Sequence, residues 1–334
     1  ASDVYKRQVP PSDGDGVKIT VLAGGVGAAR FLRGLLSVVP GNTVSAVVNT
    51  GDDTVLHGLE ISPDLDTITY TLAEAIDSER GWGLAGETWN AMAALDRYEA
   101  VRPPGSAAAP TWFNLGDRDL ATHFYRTARR REGATLTEVT REITKAWGLD
   151  LSLLPMSDQR CSTMITLATG EEVSFQDYFV RLRHGVPITS VRFAADQGAT
   201  VTEAARQAID AADVVVIAPS NPLVSVGPIR ALPGVDDLLT HRRDRVVAVS
   251  PIVGGAALKG PADRMLTELG MESTVTAVAR LYAPIASALV IDPADEALAD
   301  TVRDQGMEAV VVPSVMSTPE RSANLARACL AAVG

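Results

Sequence analysis

The sequence is poor in cysteine and aromatic residues and has no long apolar run. Two cysteines, Cys161 and Cys329, among 334 residues are too few for a disulfide framework. No apolar run approaches the ~20 residues that span a bilayer. The N-terminus also lacks the charged-then-apolar order of a secretory signal. These absences predict a cytoplasmic protein that has no membrane segment.

Positive charge is also scarce, with 30 Lys and Arg against 41 Asp and Glu and a net charge of −11. Affinity for nucleic acid depends on clustered Lys and Arg, so we expect no nucleic-acid partner. An acidic protein that binds a small polyanion must offset like-charge repulsion. A metal ion, local arginines or backbone amides are therefore expected at any anion site.

Short apolar runs alternate with amphipathic segments along most of the chain. Apolar runs at residues 17–23, 44–48, 213–218 and 245–250 predict buried parallel strands. Strands that alternate with amphipathic helices predict an α/β fold, with a doubly wound, mostly parallel, Rossmann-like sheet.

This alternation is interrupted by predicted helices and a β-hairpin. We interpret residues 101–189 as an inserted helical and hairpin subdomain, or lid, on a nucleotide-binding core of residues 17–100 and 190–334. Residues 1–16 have no periodicity and are expected to be a disordered leader or a tag. The basic run in one predicted helix of the insertion is expected on a solvated face: Arg126, Arg129, Arg130 and Arg131.

Three glycines, Gly24, Gly25 and Gly27, follow the first predicted strand. Glycine permits positive φ and has no Cβ, and the helix that follows begins with unpaired N–H groups. The turn therefore predicts an anion cradle. Its spacing matches neither the dinucleotide fingerprint nor the phosphate loop, so a tight turn without a ligand is the alternative.

Two acidic loops are predicted beside this turn. Asn49, Asp52 and Asp53 follow the second strand, and Asp64 and Asp66 begin the next helix. Because the carboxyl ends of parallel strands meet at one edge, the carboxylates are expected near the glycines. Carboxylates, waters and substrate phosphates are the usual ligands of Mg²⁺. Each residue alone is equally well explained as a helix cap or a solvated side chain.

Two later turns add polar residues to the predicted site. Asp117 and Arg118 lie at a tight turn, where Asp117 is a plausible N-cap and Arg118 a phosphate-binding candidate. Ser220 and Asn221 follow another predicted strand. We expect these strand ends to converge on one edge of the sheet.

Eight short motifs occur in order along the chain, at residues 24–30, 48–53, 62–67, 115–119, 154–158, 175–177, 218–222 and 249–252. They include Gly-Gly-Val-Gly-Ala-Ala-Arg, Asn-Thr-Gly-Asp-Asp and Ser-Pro-Asp-Leu-Asp-Thr. Together they resemble the 2-phospho-L-lactate transferase family of coenzyme F-420 biosynthesis. The Gly-Asp-Asp motif and the composition are more similar to its actinobacterial branch, called phosphoenolpyruvate transferase.

The resemblance implies a reaction between a guanosine diphosphate-activated acid and 7,8-didemethyl-8-hydroxy-5-deazariboflavin. The acid would be phosphoenolpyruvate or 2-phospho-L-lactate, which the sequence does not distinguish. The terminal ribityl hydroxyl would attack the phosphorus that bears the acid and release GMP. A homodimer is also the expectation from the family.

Site residues follow from the resemblance by position. Asp52 and Asp64 would hold Mg²⁺, while Asp53 and Asp66 would orient these ligands or accept the hydroxyl proton. Trp82 or Trp89 could flank the deazaflavin. The remaining residues would bind the nucleotide and phosphate: Gly24, Gly25, Gly27, Asn49, Asp117, Arg118, Ser220 and Asn221.

Two other classes stay open. In an NAD(P)-dependent oxidoreductase, Asp52 would hold a ribose hydroxyl. The glycine spacing disfavours this class, and a ribose contact does not require the second acidic loop. The other alternative is a non-catalytic nucleotide-binding protein.

Overall fold

A computed structural model describes residues 16–104, 106, 108 and 110–333. Of the predicted leader, only Gly16 falls within this part. The strands, in chain order, are β1 (Ile19–Ala23), β2 (Val44–Val48), β3 (Thr54–Leu56), β4 (Leu59–Ile61), β5 (Ser152–Pro155), β6 (Cys161–Leu167), β7 (Glu172–Ser174), β8 (Ile188–Ala195), β9 (Val214–Ile217), β10 (Val246–Val249), β11 (Ile252–Val253), β12 (Ala256–Ala257), β13 (Ala288–Ile291) and β14 (Glu308–Val311).

The α-helices are α1 (Gly25–Leu36), α2 (Pro63–Leu72), α3 (Asn90–Glu99), α4 (Asp119–Arg131), α5 (Leu136–Ala146), α6 (Glu203–Ala211), α7 (Gly227–Arg230), α8 (Val235–His241), α9 (Ala262–Glu268), α10 (Val275–Tyr282), α11 (Ala299–Asp304) and α12 (Pro319–Ala332). Three 3₁₀ turns span Gly41–Thr43, Arg243–Arg245 and Pro293–Leu298, and Asp177–Arg181 is π-helical. No helix in the described part of the chain is long and apolar enough to span a membrane.

Seven strands form one parallel sheet in the order β14-β13-β10-β9-β1-β2-β5. The chain proceeds from β1 to β2 and β5 on one side, and from β9 to β10, β13 and β14 on the other. The order therefore reverses between β1 and β9. Ligands of open α/β sheets bind at such a switch point, outside the carboxyl ends of the strands. The predicted fold class is confirmed.

Both faces of the sheet are covered by helices, which is why most residues of its strands are apolar and buried. In β1, Val21 belongs to the core that contains α1 and α12, and Leu22 belongs to the opposite core, with α6 and α8. Helix α1 packs closely on α12, since a Cβ on Gly34 would lie 2.4 Å from the Ser322 backbone. These contacts fix the start of α1 at the switch point.

The region predicted as an insertion contributes to both sheets. Strand β5 is the edge of the central sheet, beside β2. Strands β6, β7 and β8 form a separate antiparallel sheet in the order β7-β6-β8, and the predicted β6–β7 hairpin is confirmed. This small sheet is joined to the loop after β2, because the Thr163 N–H donates to the Gly51 carbonyl at 2.8 Å.

Candidate functional site

The glycine turn joins β1 to α1 at the switch point. Gly25 has a φ of +70°, a conformation that residues with a Cβ rarely adopt. A Cβ on Gly27 would lie 2.2 Å from the Pro219 carbonyl oxygen, and a Cβ on Gly24 would lie 2.7 Å from Ser225 Cβ. The turn therefore needs glycine for two reasons, which are its backbone conformation and the close approach of the chain after β9.

The turn after β9 is hydrogen-bonded to the glycine turn. The Ser220 hydroxyl donates to the Gly24 carbonyl at 2.8 Å and is buried. The Asn221 side-chain oxygen accepts from the Leu223 N–H at 2.9 Å, which closes a local turn. The structure thus brings Ser220 to the predicted cradle, while the Asn221 oxygen is used within its own loop.

Asn49 connects the two acidic loops. Its side-chain nitrogen donates to Asp64 Oδ2 at 2.9 Å, and its side-chain oxygen accepts from the Gly51 N–H at 2.8 Å. Asp64 also lies beside the glycine turn, since a Cβ on Gly25 would be 3.9 Å from Asp64 Oδ1. The first turn of α2, the loop after β2 and the glycine turn therefore meet around Asp64.

Asp52 and Asp64 are both buried, with 7% of each residue exposed. Burial raises the pKa of Asp52 well above its usual value, and the negative charge of Asp64 adds to the increase. Burial also raises the pKa of Asp64 to about 6, against the hydrogen bonds from Asn49 and Gly25. Asp52 Oδ1 is buried without a hydrogen-bond partner in the described part of the chain. The two carboxylates thus lie close together in a buried site, and no salt bridge of the described residues gives either of them a counter-charge.

This pair fits a cation that takes few protein ligands. Residues 16–104, 106, 108 and 110–333 contain no group of three or more His, Cys, Asp or Glu side chains that could hold a metal ion. Mg²⁺ is commonly bound by one or two carboxylates, with waters and substrate phosphates as its other ligands. The unpartnered Asp52 oxygen and the neighbouring Asp64 carboxylate match that requirement.

Asp53 and Asp66 have different surroundings from this pair. Asp53 Oδ2 accepts from the Ser62 hydroxyl at 2.7 Å, and its buried Oδ1 has no partner among the described residues. Burial raises the pKa of Asp53, while the Ser62 hydrogen bond and the charge of Arg126 oppose the increase. Asp66 is instead paired directly with Arg126. Asp53 therefore keeps a free oxygen, whereas both oxygens of Asp66 are used.

The prediction that Arg126 lies on a solvated face is wrong. Arg126 is 1% exposed, and its Nη1 lies 3.1 Å from Asp66 Oδ2 and 3.3 Å from His123 Nδ1. His123 Nε2 in turn lies 3.3 Å from Asp119, which accepts a hydrogen bond from Tyr70. The buried face of α4 is polar because it pairs with the acidic start of α2.

The residues of this buried face recur at helical spacing in the sequence, but that spacing did not reveal that the face is buried. Thr122, His123, Arg126 and Thr127 recur at helical spacing, and all four are buried. Apolar residues at that spacing indicate a core face, but polar residues normally indicate solvent. Only the facing Asp66, which is 60 positions away in sequence, explains why the pattern is reversed.

Asp117 and Arg118 are occupied by structural contacts. Asp117 accepts from the Thr88 hydroxyl and the Ala91 N–H, and these hydrogen bonds lower its pKa to about 2. The Arg118 guanidinium donates to the Ala85 carbonyl at 2.6 Å. Both residues thus stabilise the segment around α3, and no described contact joins them to the glycine turn.

Trp82 and Trp89 lie together on that same segment. Their ring centroids are 5.8 Å apart, and the Arg80 guanidinium lies over both rings at 5.5 and 5.3 Å. Trp82 is 43% exposed, so part of this aromatic pair is accessible from solvent. Their role beside the deazaflavin stays a prediction.

The parallel sheet, the glycine turn at its switch point and the buried carboxylates beside that turn define a Rossmann-like α/β protein. Residues 19–325 match the family model described as 2-phospho-L-lactate transferase CofD. The chain therefore belongs to the 2-phospho-L-lactate transferase family, and the resemblance of its eight motifs is confirmed.

Similar proteins cover the whole fold. The chain is 41% identical over 328 residues to the phosphoenolpyruvate transferase of Nocardia farcinica, with 96% of each chain covered. It is 40% identical over 332 residues to that of Mycolicibacterium smegmatis, with 95% of this chain and 99% of the relative covered. A crystal structure of a upf0052 family protein from Bacillus halodurans matches with a TM-score of 0.61 and 15% identity, over 94% of this chain and 99% of that one. This structural match shows the fold alone.

Proposed function

We propose that the protein transfers a phosphoenolpyruvyl or 2-phospho-L-lactyl group from its guanosine diphosphate-activated form to 7,8-didemethyl-8-hydroxy-5-deazariboflavin. One observation carries the proposal: at the switch point, the Asp64 carboxylate accepts a hydrogen bond from Asn49 and lies beside the backbone of Gly25. Backbone amides for a phosphate and carboxylates for its counter-ion thus lie side by side. Membership of the family supports the transferase class.

The chain would contribute mainly positioning and charge. The ribityl hydroxyl oxygen attacks the phosphorus that bears the acid, and the bond from that phosphorus to the oxygen of GMP breaks. GMP leaves with this oxygen, and a phosphodiester forms. Asp52 and Asp64 would hold Mg²⁺, which neutralises phosphate charge when it is bound. Holding reactants in line accounts for a large part of the rate in such transfers.

Asp53 is better suited than Asp66 to accept the hydroxyl proton. Asp66 is engaged by Arg126, so its carboxylate orients the start of α2. Asp53 Oδ1 has no partner in the described part of the chain, and burial raises its pKa. A carboxylate whose pKa is raised towards neutrality is a more effective base. We therefore assign proton acceptance to Asp53.

The experiment combines purified protein, deazaflavin, magnesium chloride and both activated acids in competition. Mass spectrometry identifies the product, and chromatography measures GMP. We expect one GMP for each phosphodiester formed, and the product mass tells which acid is transferred. Absence of GMP with either acid would favour a non-catalytic nucleotide-binding protein. Saturable NAD(P)H binding that is independent of Mg²⁺ would favour an oxidoreductase.

A further inference from the structure

A small cleft opens beside Asp53, between the β3–β4 hairpin, α4 and the loop before β6. Its volume is ≈ 120 Å³, and its lining includes Thr50, Asp53, Arg130 and Arg160. Since drug-sized ligands occupy pockets of roughly 300–1,000 Å³, the cleft is too small for a nucleotide or a deazaflavin. It has room for one small polar group of a substrate whose reacting atom lies at the carboxylates.

The floor of the cleft carries an unused hydrogen-bonding group. Thr50 is 3% exposed, and its hydroxyl has no hydrogen-bond partner in the described part of the chain. A buried polar group without a partner costs about 1–3 kcal/mol, so such groups usually have a ligand or water to bind. Thr50 lies in the loop that also carries Asp52 and Asp53, which places this hydroxyl next to the predicted reaction centre.

One of the two arginines that line the cleft has no carboxylate partner in the described part of the chain. Five charged side chains line the cleft: Asp53, Glu60, Asp158, Arg130 and Arg160. Arg130 is paired with Glu60 at 3.4 Å. The Asp158 carboxylate accepts from the Thr137 N–H and hydroxyl, at 2.7 and 2.8 Å. Arg160 is exposed, and its only described side-chain hydrogen bond is a long one, 3.5 Å, to Ser162. Arg160 therefore lines the cleft without a carboxylate partner among the described residues.

We propose that this cleft binds the carboxylate of the transferred acid, with the Arg160 guanidinium and the Thr50 hydroxyl as donors. The inference rests on the proposed function, because that function supplies a substrate with a carboxylate close to the reacting phosphorus. A guanidinium matches a carboxylate with two parallel N–H donors, which an ammonium cannot do. The cleft thus recognises the acid, while the glycine turn recognises the nucleotide.

The test measures binding by calorimetry, with magnesium chloride and without deazaflavin, so that no turnover occurs. The ligands are guanosine diphosphate-activated phosphoenolpyruvate and GDP, which lacks the acid. In Arg160→Gln we expect a loss of about 10- to 100-fold in affinity for the activated acid, as for a charge-assisted hydrogen bond, and unchanged affinity for GDP. Thr50→Val is expected to bind the activated acid about 5- to 10-fold more weakly than the wild type, again with unchanged affinity for GDP.

Two further variants sharpen the result. Arg131→Gln removes a nearby exposed arginine of α4 that does not line the cleft, and is expected to bind both ligands as the wild type does. Arg160→Lys keeps the charge but not the paired donors, and is expected to give an intermediate loss. Equal losses for GDP and the activated acid in Arg160→Gln would overturn the proposal, as would an effect confined to the KM for deazaflavin.

The outcomes separate this inference from the proposed function. If the wild type produces GMP while Arg160→Gln binds the activated acid normally, the cleft assignment alone is wrong. If the wild type neither binds the activated acid more tightly than GDP nor produces GMP, both proposals are wrong. The unfolding curves of Arg160→Gln, Arg160→Lys and Arg131→Gln must coincide with that of the wild type within about 1 kcal/mol, as expected for changes at exposed positions. Thr50→Val is expected to be at least as stable as the wild type, because it removes a buried hydroxyl that has no partner among the described residues.

Discussion

Arg126 and Asp66 form a buried ion pair between α4 and the first turn of α2. Arg126 Nη1 donates to Asp66 Oδ2 at 3.1 Å, Nη2 donates to Oδ1, and the two side chains are 2% and 7% exposed. Asp64 lies two residues before Asp66, in the same first turn of α2. The pair therefore fixes the backbone that carries one of the two proposed metal ligands.

Removing one member of this pair is expected to be strongly destabilising. In Arg126→Met the Asp66 carboxylate stays buried without its partner, which costs about 3–5 kcal/mol. In the double variant Arg126→Met/Asp66→Leu no charge remains unpaired, so most of that loss is expected to return. Urea unfolding of both variants and the wild type measures the difference.

A surface ion pair is the control for this prediction. Arg206 pairs with Glu203 on α6, and both side chains are largely exposed. Arg206→Ala is expected to cost less than about 1 kcal/mol. If Arg126→Met behaves like Arg206→Ala, the pair with Asp66 contributes little to stability.

The role of Gly25 can be separated from its backbone strain. Gly25 has a φ of +70°, and Gly148, far from the site in sequence, has a φ of +69° with no atom within 4 Å of an added Cβ. Alanine at either position is expected to cost about 1–2 kcal/mol of unfolding free energy. Only Gly25→Ala is expected to weaken GDP binding, measured by calorimetry. Equal nucleotide affinities in the two variants would make the turn purely structural.

The proposed metal ligands are tested by isosteric substitutions. Asp52→Asn and Asp64→Asn each remove a negative ligand beside the phosphate site. Because loss of residues that merely support metal ligands costs about 10–100-fold in affinity, we expect at least about 100-fold weaker Mg²⁺ binding. Manganese-binding titrations measure this loss independently of turnover. Asp210→Asn, on the exposed side of α6, is expected to behave as the wild type does.

The raised pKa of Asp64 predicts a pH dependence of stability in the absence of divalent cations. The pKa is about 6 in the folded protein, which is above the unfolded value of about 3.9. The protonated carboxyl therefore favours folding below about pH 4, and this contribution is lost as the pH rises through about 6. Urea unfolding in EDTA at several pH values measures it.

The matching control is Asp64→Asn, which has no titrating group at this position. As the pH rises from about 4 to 6, the unfolding free energy of the wild type is expected to fall relative to that of Asp64→Asn. A difference that does not vary over this range would contradict the assigned burial of Asp64.

The fold was predictable because its signal is local. The strands that were predicted for the central sheet, such as β1 and β9, are short apolar runs, and strands buried on both faces by helices show that pattern in sequence. Strand β5 was not predicted, because its stretch was assigned to the insertion. The glycine turn was also recognisable, because each of its glycines is required: Gly25 has a positive φ, and Gly24 and Gly27 lie too close to the chain after β9 to carry a Cβ. The convergence of this turn with Asn49 and Asp64 followed from the rule for strand ends.

Other parts of the site depend on contacts between distant segments. Asp117 was predicted to be an N-cap. Its carboxylate does accept a hydrogen bond from the first backbone N–H of a helix, but this helix is α3, which begins at Asn90, 27 positions earlier in the sequence. Arg126 was misplaced because its partner lies on another helix. Neither pairing has a local signal. Mg²⁺, the homodimer and the cytoplasmic location stay predictions.

The small sheet holds the acidic loop directly. Besides the Thr163 N–H, which donates to Gly51, the Gln176 side chain donates to the Asp52 carbonyl at 3.1 Å. A lid that swings away would break both hydrogen bonds and displace Asp52. By thermodynamic reciprocity, an opening that displaced Asp52 would weaken cation binding, and a bound cation would resist that opening by the same free energy. Opening of the small sheet and cation binding would then be linked equilibria.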